Sequence, residues 1–268
     1  MTQFRPSRFE ILPLVVKNLV IINVLFLIAQ NTIGKSEAFP MFDIFALHHV
    51  QSSKFQPWQI VTHMFLHANF WHLFGNMFGL WVFGARLESL WGPRRFLTFY
   101  FLCGIGAALI QLTSLWFVAS PLLNDFAYLR DHLSFNSLYD FSVKYLPDLA
   151  ETLRQQPTIN DPAVLQSTFA GIQSKVDGAI SGSTVGASGA VYGVIAAFVY
   201  LFPNDLLYLY AMIPIKAKFI GLVYLGLTVY GLVQDSRSDN TAHWAHLGGA
   251  LVGFLLVLTW NKSRKRFY

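Results

Sequence analysis

The chain has 268 residues, of which 54% are hydrophobic, 16% are aromatic and only 12% are charged. A soluble domain carries about twice that share of charged residues, so the composition excludes an ordinary soluble protein and indicates a multi-spanning membrane protein. The formal net charge is +5, and the single cysteine, Cys103, excludes an internal disulfide framework and a cysteine-ligated metal site.

Six apolar segments are long enough to cross a bilayer, which takes about 20 mostly apolar residues in a helix. The fourth and sixth are less apolar than a lipid-facing anchor, as is typical of central helices shielded by their neighbours. The predicted spans are residues 12–33, 64–83, 96–118, 184–202, 219–233 and 244–260. The predicted fold class is therefore all-α, a polytopic membrane bundle of six transmembrane helices.

Lysine and arginine are unevenly distributed around these spans. If the N-terminus is cytoplasmic, the inner segments hold twelve of the nineteen basic residues, and the other seven are spread over longer outer segments. The positive-inside rule then places both termini in the cytoplasm, in agreement with an even number of spans. The inner set is Arg5, Arg8, Lys17, Arg86, Arg94, Arg95, Lys216, Lys218, Lys262, Arg264, Lys265 and Arg266.

A polar segment, residues 119–180, separates the third span from the fourth and is predicted to be an extracytoplasmic helical insert in a single transmembrane domain over 1–268. Apolar residues recur at helical spacing in two stretches, so we expect amphipathic helices on or near the outer membrane surface. The stretches are Leu122, Phe126, Leu129 and Leu133, and Leu165, Phe169, Ile172 and Val176.

The second span includes most of the stretch HMFLHANFWHLFGN, which brings His63, His67, His72 and Asn76 within fourteen residues. Polar side chains are costly in a membrane, so this density indicates a function. His72 and Asn76 are four residues apart, so one helix face carries both, and both can donate hydrogen bonds to the same point. His63 and His67 can help to line a polar cavity beside them.

The fourth and sixth spans each carry two glycines four residues apart near a polar residue. STVGASGAVYGV contains Ser188, Gly189 and Gly193, and AHWAHLGGALVG contains His246, Gly249 and Gly253. Small residues at this spacing let helices approach closely, and packing through them would place Ser188 and His246 at similar depth. Histidine is the commonest base that activates a serine hydroxyl, so the pair is a candidate nucleophile and base.

An acyl-transfer site also needs hydrogen-bond donors for the developing oxyanion. The candidates are the backbone N–H of Ser188 and the side chains of His72 and Asn76. Tyr192, one turn below Ser188, is placed to pack against the imidazole, and Gly186 leaves room for a substrate carbonyl. No acidic residue lies in the spans near these groups, so the sequence predicts a Ser-His dyad and no triad.

These motifs resemble those of the rhomboid family of intramembrane serine proteases. GASG matches the family's G-x-S-G, AHLGGALVG matches A-H-x-x-G-x-x-x-G, and HMFLHANFWHLFGN matches H-x3-H-x4-H-x3-N, in the family's order. The resemblance covers about residues 12–260 apart from the insert. It implies a rhomboid-like fold and a serine endopeptidase that hydrolyses peptide bonds in or near transmembrane segments. Ser188 then corresponds to the nucleophile and His246 to the base, with His72 and Asn76 in the oxyanion hole.

The resemblance also implies supporting roles. Tyr192 corresponds to the residue that stacks on the catalytic imidazole, and Glu88 to a structural glutamate at the inner end of the second helix. Trp58 matches the tryptophan of a tryptophan–arginine pair in the first loop, but Gln59 replaces the arginine. The other supporting residues predicted for the site are Gly186, Gly189, Gly249, Gly253 and His67.

The implied partners are transmembrane protein substrates and the lipid bilayer, with no nucleic acid, no cofactor and no metal, and the oligomeric state is left open. The histidines allow a metal-dependent membrane enzyme as an alternative, although H-E-x-x-H is absent. A non-catalytic relative that only binds membrane clients is a second alternative. Such relatives typically lack the serine or the histidine, and both are present here.

Two expectations concern the surroundings of the site. The stretch QDSRSDNTA, residues 234–242, is expected to cap the site on the outer side as a mobile lid. The small size and the lack of a recognisable targeting presequence predict a bacterial cell (inner) membrane.

Overall fold

The computed structural model describes residues 11–155, 161–209, 213–234 and 242–264, and most of them are helical. The chain forms two compact units, named here the bundle unit and the insert unit. The bundle unit comprises Met1–Leu47, Gln56–Leu112 and Ser183–Tyr268, and the insert unit comprises His48–Phe55 and Thr113–Gly182. The predicted all-α class is confirmed.

The elements follow one another in a simple order. The helices are α1 (Leu14–Thr32), α2 (Met41–Phe45), α3 (Gln59–Thr62), α4 (Phe70–Gly79), α5 (Ala85–Trp91), α6 (Pro93–Asp131), α7 (Phe135–Tyr145), α8 (Pro147–Arg154), α9 (Pro162–Ile180), α10 (Ser188–Leu201), α11 (Ala217–Gln234) and α12 (His243–Arg264). The short strands are β1 (Leu47–His48), β2 (Ser183–Thr184), β3 (Leu206–Leu209) and β4 (Ile213–Lys216). β3 and β4 are antiparallel, with Leu206 opposite Lys216, and form a hairpin between α10 and α11.

Four of the described helices, α1, α6, α11 and α12, are long and apolar enough to cross a membrane. The chain is therefore a multi-pass membrane protein. α10 is also apolar but has only 14 residues, and most of them are buried. At about 1.5 Å per residue it is roughly 21 Å long, shorter than a hydrocarbon core of about 30 Å. It is the central helix of the bundle unit.

The second predicted span, residues 64–83, is not one continuous helix. After a 3-10 turn at His63–Phe65 the chain leaves the helical conformation, and α4 begins only at Phe70. The Asn69 side chain accepts a hydrogen bond from the His72 N–H at 2.9 Å, which satisfies a free donor of the new helix and defines its start. The helix then continues through a π-helical segment, Leu80–Gly84, into α5.

Two other predicted boundaries are wrong. The fourth span was expected to begin at residue 184, but α10 begins at Ser188, because Gly186 has a φ of 124°, which no right-handed helix contains. The third span was expected to end at residue 118, but α6 continues to Asp131. Its extra turns carry apolar residues that are buried in the insert unit, and this packing keeps the helix going.

The core of the bundle unit contains large side chains that are fully buried, among them Leu80, Leu87, Phe96, Phe99 and Tyr100. Next to them lies the buried carboxylate of Glu88. It accepts the backbone N–H of Val15 at 2.8 Å and that of Val16 at 2.9 Å. These are first-turn amides of α1, which have no partner within their own helix. Glu88 thus ties α5 to the start of α1.

The insert unit has a small core of its own, formed by the end of α6 with α7 and α9. The rings of Phe126 and Phe169 stack in it at 5.4 Å between centroids and an interplanar angle of 4°. The two apolar stripes that we expected on a membrane surface therefore pack against each other. The fully or largely buried residues are Leu129, Leu138, Phe141, Phe169, Ile172 and Val176.

Candidate active site

Ser188 is the first residue of α10, so its hydroxyl lies at the end of a buried helix. Two residues earlier, Gly186 turns the chain with a φ of 124°, a conformation that glycine adopts without steric cost. The Gly186 N–H donates to the His63 carbonyl at 2.9 Å, which anchors this turn. The half-buried serine is thereby held where the chain enters the helix.

His246 lies in the first turn of α12, where its backbone N–H donates to the Ala242 carbonyl. Its Nε2 atom is 2.8 Å from the Ser188 Oγ atom, although the two residues are 58 positions apart. When Nε2 carries no proton, the serine hydroxyl donates to it. This is the geometry that lets a histidine take the proton of a serine nucleophile.

Four glycines allow this approach of α10 and α12. A Cβ atom on Gly253 would lie 2.5 Å from the carbonyl oxygen of Gly193, and one on Gly193 would lie 2.9 Å from that of Gly249. A Cβ on Gly249 would overlap the backbone of Gly189. Side chains at these positions would therefore push the helices apart, and the serine–histidine contact depends on their absence.

Tyr192, one turn along α10, stacks on the histidine ring. The centroids of the Tyr192 and His246 rings are 4.3 Å apart, and the ring planes are 7° from parallel. The tyrosine also contacts the ring of Tyr224 in α11, with centroids 5.7 Å apart and the ring planes at 73°. The stacked ring restricts how the imidazole of His246 can tilt and keeps Nε2 directed at Ser188.

His72 lies beside the same turn. Its Nδ1 atom accepts the backbone N–H of Ala68 at 3.3 Å, so in the neutral ring the proton is on Nε2. A Cβ built on Gly186 would lie 2.8 Å from that Nε2 and 3.6 Å from the Ser188 Oγ atom. The Nε2–H of His72 therefore borders the space next to the serine hydroxyl, where an oxyanion would develop.

Asn76 is buried one turn deeper on α4, and its side-chain amide donates to the His72 carbonyl at 3.0 Å. The amide has a second N–H available for another acceptor. A Cβ on Gly79, further along the same helix, would lie 3.0 Å from a methyl group of Val191. This part of α4 thus packs against α10. The predicted oxyanion site lies beside the start of α10.

His67 is fully buried and supports His72 from behind. The two rings meet edge to face with centroids 5.1 Å apart. Gln30 of α1 holds the backbone at this point, because its side chain accepts the His67 N–H at 3.2 Å and donates to the His67 carbonyl. Sequence reasoning missed Gln30, although a glutamine inside an apolar span was a signal that could have found it.

Gln59 is a further residue whose role the sequence did not reveal. Its buried amide donates to the carbonyls of Asp43 and Ile44 at 3.1 and 3.3 Å, and its oxygen accepts the Gln56 N–H at 3.1 Å. The neighbouring Trp58 donates to the Ile44 carbonyl at 2.9 Å. The first loop is thus anchored by hydrogen bonds between these two side chains and the backbone, where the family resemblance implied an arginine.

Gln59 also connects this loop to the site. The Nδ1 atom of His63 lies 2.8 Å from the Gln59 carbonyl oxygen, and the His63 carbonyl accepts the N–H of Gly186. The anchored loop, His63 and the turn before Ser188 are therefore linked by hydrogen bonds.

Two further points from the sequence concern the expected lid and the metal-dependent alternative. Most of the expected lid, residues 235–241, lies outside the described residues. Within the described ranges, no three His, Cys, Asp or Glu side chains are grouped so as to hold a metal ion.

Curated proteins similar to the chain include rhomboid-like proteins of eukaryotes. RHOMBOID-like protein 12, mitochondrial, from Arabidopsis thaliana is 24% identical over 208 residues, which are 78% of this chain and 48% of that protein. Rhomboid protein 1, mitochondrial, from Saccharomyces cerevisiae is 27% identical over 197 residues, 73% of this chain and 40% of that protein. The chain thus spans less than half of the length of these two relatives.

A shorter match has a higher sequence identity. Rhomboid-like protease 3 from Toxoplasma gondii is 42% identical over 60 residues, which are 22% of this chain and 23% of that protein. The names of the two relatives with longer matches describe both as mitochondrial. The comparisons therefore give no support to the predicted bacterial cell membrane.

A family model of the Rhomboid domain matches residues 54–120 and 163–263, which together are more than half of the chain. The gap between the two matched parts, residues 121–162, falls inside the insert unit. The resemblance noted in the sequence motifs is confirmed, and the chain belongs to the rhomboid family.

Proposed function

We propose that the chain is an intramembrane serine endopeptidase, in which a Ser188–His246 dyad hydrolyses peptide bonds in or near transmembrane segments of other membrane proteins. The observation that carries the proposal is the 2.8 Å distance between Ser188 Oγ and His246 Nε2. Membership of the rhomboid family supports it, as does the similarity to the rhomboid-like protease from Toxoplasma gondii.

The first half of the reaction forms an ester on Ser188. Its Oγ attacks the scissile carbonyl carbon while His246 Nε2 takes the hydroxyl proton, and the carbonyl oxygen becomes an oxyanion. His246 then gives the proton to the leaving nitrogen, the carbon–nitrogen bond breaks, and the amine product leaves. In the second half, water attacks the ester and gives its proton to His246. The ester bond then breaks, which releases the carboxylic acid product and returns the proton to Ser188.

Three donors are assigned to the oxyanion: the backbone N–H of Ser188, the Nε2–H of His72 and the side-chain amide of Asn76. The support for His72 is its position beside Gly186, with Nδ1 occupied as an acceptor. Asn76 is supported by its burial one turn below His72 and by its second, available N–H. Removal of one such donor typically lowers kcat by about 10²–10³.

The substrate segment must lose helical structure before it reacts, because carbonyl groups within a helix are already hydrogen-bonded and covered by neighbouring turns. The short α10 favours attack below the membrane surface, since a helix of 14 residues that starts at Ser188 does not reach across the bilayer. Water needed for the second half of the reaction then enters through a polar opening on the side of the dyad. His63 and His67, which were expected to line it, are both buried.

We also propose six membrane passes with both termini on the cytoplasmic side. α4, the π-helical segment and α5 together contain 22 helical residues, roughly 33 Å, enough to cross a hydrocarbon core of about 30 Å. With the four long helices, and with one pass made by α10 together with the residues that flank it, this makes six. The orientation is tested with single cysteines introduced into a Cys103→Ala chain, either at Gln51 or in the β3–β4 hairpin. Each cysteine is then treated with a membrane-impermeant maleimide.

The decisive experiment compares cleavage of a purified single-pass substrate in liposomes by wild type, Ser188→Ala and His246→Ala. Ser167→Ala, an exposed serine of the insert unit, is the matched control. We expect cleavage by wild type and the control only, and labelling by a fluorophosphonate probe that is lost in Ser188→Ala. Equal cleavage by all four proteins, or none by wild type with several substrates, would overturn the proposal. Loss of cleavage in EDTA and its recovery with zinc would favour a metal-dependent enzyme.

A further inference from the structure

A cavity of ≈ 540 Å³ lies between α10, α11 and α12 in the bundle unit. This volume falls within the range of about 300–1,000 Å³ that is typical of sites for small organic molecules. Its wall consists mostly of aliphatic side chains such as Ile195, Val199, Leu222, Leu225 and Leu251. An occupant that fills it must therefore be apolar over most of its surface.

The few polar groups of the cavity are found at its two ends. Lys218, in the first turn of α11, lies at one end with Tyr200, and Tyr192, Tyr224 and Thr228 lie toward the other. From Lys218 to Thr228 the helix advances ten residues, about 15 Å. That length is half of a hydrocarbon core of about 30 Å, which is the depth reached by the acyl chain of one leaflet.

Lys218 determines the charge that an occupant should carry. Its side chain is exposed, and its Nζ atom lies over the ring of Phe219 at 5.4 Å. Lysine near the end of a membrane helix lays its methylene groups along apolar surface and holds its ammonium at the level of the headgroups. Basic residues at the mouth of a gap between transmembrane helices attract the phosphates of anionic lipids.

We propose that this cavity is a binding site for an anionic phospholipid of the leaflet opposite the candidate dyad. The lipid phosphate pairs with Lys218, and one acyl chain fills the space between α10, α11 and α12 up to Tyr192 and Thr228. Apolar wall, length and charge match this occupant together. A volume of ≈ 540 Å³ spread over a length of about 15 Å averages about 7 Å across, which is narrower than a protein helix with its side chains, about 10–12 Å.

The site also has a direct connection to the dyad. Tyr192 lines the cavity with one part of its ring and stacks on His246 with its face. A bound acyl chain therefore restricts the tyrosine that orients the imidazole. The proposed binding itself does not depend on peptide hydrolysis, so it can be measured in a chain that lacks the serine.

The test uses phosphatidylglycerol with a photoreactive diazirine at the end of one acyl chain, added to the purified full-length chain. Mass spectrometry of the crosslinked protein should place the label on cavity residues near Tyr224 and Leu251, in wild type and in Ser188→Ala alike. Native mass spectrometry should show phosphatidylglycerol retained in preference to phosphatidylcholine. Lys218→Gln should weaken that retention about fivefold, which corresponds to one lysine near an anionic surface.

Two further variants serve as controls. Lys216→Gln removes a cation only two residues away, on β4, and should leave lipid retention unchanged. Ala196→Phe fills the cavity and should abolish the label at Tyr224 and Leu251. Its folding is checked by size-exclusion chromatography.

Two results would overturn the lipid site: label spread evenly over outward-facing residues of α11, or retention that is equal in wild type and Lys218→Gln. A benzophenone side chain in place of Leu251 gives a third arm. Crosslinks from this side chain to a second copy of the chain, or to a substrate helix, would show that this partner occupies the cavity and would overturn the lipid proposal. None of these results changes the outcome of the cleavage assay with Ser188→Ala, so the two proposals fail independently.

Discussion

Replacement of Gly186 by alanine puts a methyl group between His72 and Ser188. The added Cβ would lie 2.8 Å from both the Nε2 and the Cε1 atoms of His72. Ordinary van der Waals contact begins at 3.4 Å, so the imidazole must retreat by about 0.6 Å or the turn before α10 must shift by a similar distance.

The magnitude follows from the geometry of an oxyanion donor. Such donors act at about 2.7–3.1 Å, and a retreat of about 0.6 Å lengthens the contact beyond useful hydrogen-bonding distance. Loss of one donor costs about 2.7–4 kcal/mol of transition-state stabilisation, so we expect kcat to fall about 100-fold or more. Alanine at a φ of 124° also strains the backbone by about 1–3 kcal/mol, which lowers the free energy of unfolding.

The assay must separate these two effects, and the chain offers a matched control. Gly92 also has a positive φ, 80°, but a Cβ built there meets nothing within 4 Å. Gly92→Ala should therefore lose stability without losing activity. Both variants are compared with wild type by kcat for a single-pass substrate in liposomes and by unfolding in increasing concentrations of sodium dodecyl sulfate.

The expected result is a loss of kcat in Gly186→Ala alone, at a stability close to that of Gly92→Ala. If Gly186→Ala kept more than a third of the wild-type kcat, the assignment of His72 to the oxyanion would be wrong. If both alanine variants lost activity equally, the effect would be one of stability and would carry no information about the site.

Two further predictions concern the packing around the dyad, and a third concerns the first loop. Gly249→Val should push α12 away from α10 and reduce labelling of Ser188 by a fluorophosphonate about 100-fold. The control is Gly226→Val, which should be labelled like wild type because a Cβ there meets nothing within 4 Å. Equal labelling of the two variants would contradict the helix contact. Tyr192→Ala should slow cleavage about tenfold, as expected for a lost aromatic contact, and Tyr192→Phe should keep most of the activity, so similar rates for both would argue against ring stacking. Gln59→Leu should lower the free energy of unfolding by about 2 kcal/mol, because the carbonyls of residues 43 and 44 lose their amide donor. The control, Gln155→Leu at an exposed position, should change the free energy of unfolding by less than about 0.5 kcal/mol.

The long membrane helices could be predicted because length and apolarity are local properties. α1, α11 and α12 lie close to the predicted spans, since a bilayer leaves a continuous apolar segment little choice but a helix. The break before α4 could not be read in this way. It depends on the Asn69 side chain capping the His72 N–H, and hydropathy does not detect a cap.

The insert illustrates a different limit. Periodicity indicated two amphipathic helices, and it could not tell whether their apolar faces lie on lipid or on protein. The faces meet each other, with Phe126 stacked on Phe169, because α6 continues well beyond the predicted end of the third span. An apolar stripe specifies that a face is buried and leaves the burying partner open.

Gln59 shows how a replaced residue can keep a local function by other means. In the sequence it is a departure from the tryptophan–arginine pair, and the loss of a charge there left the anchoring of the loop open. In the folded chain its amide makes three hydrogen bonds to backbone groups. Which carbonyls lie within reach of a side chain is a property of the tertiary structure, because the partners come from a different segment.

The order of amino acids was enough to identify a helical membrane protein of the rhomboid family and to single out Ser188, His246, His72 and Asn76. This was possible because apolarity, helical spacing and short motifs depend on residues that are close together in the sequence. The folded chain was needed to see that the Ser188 hydroxyl lies 2.8 Å from His246 Nε2, and that Tyr192 stacks on the imidazole. Those contacts join residues on different helices, and their distances depend on how closely Gly189 and Gly249 let two backbones approach.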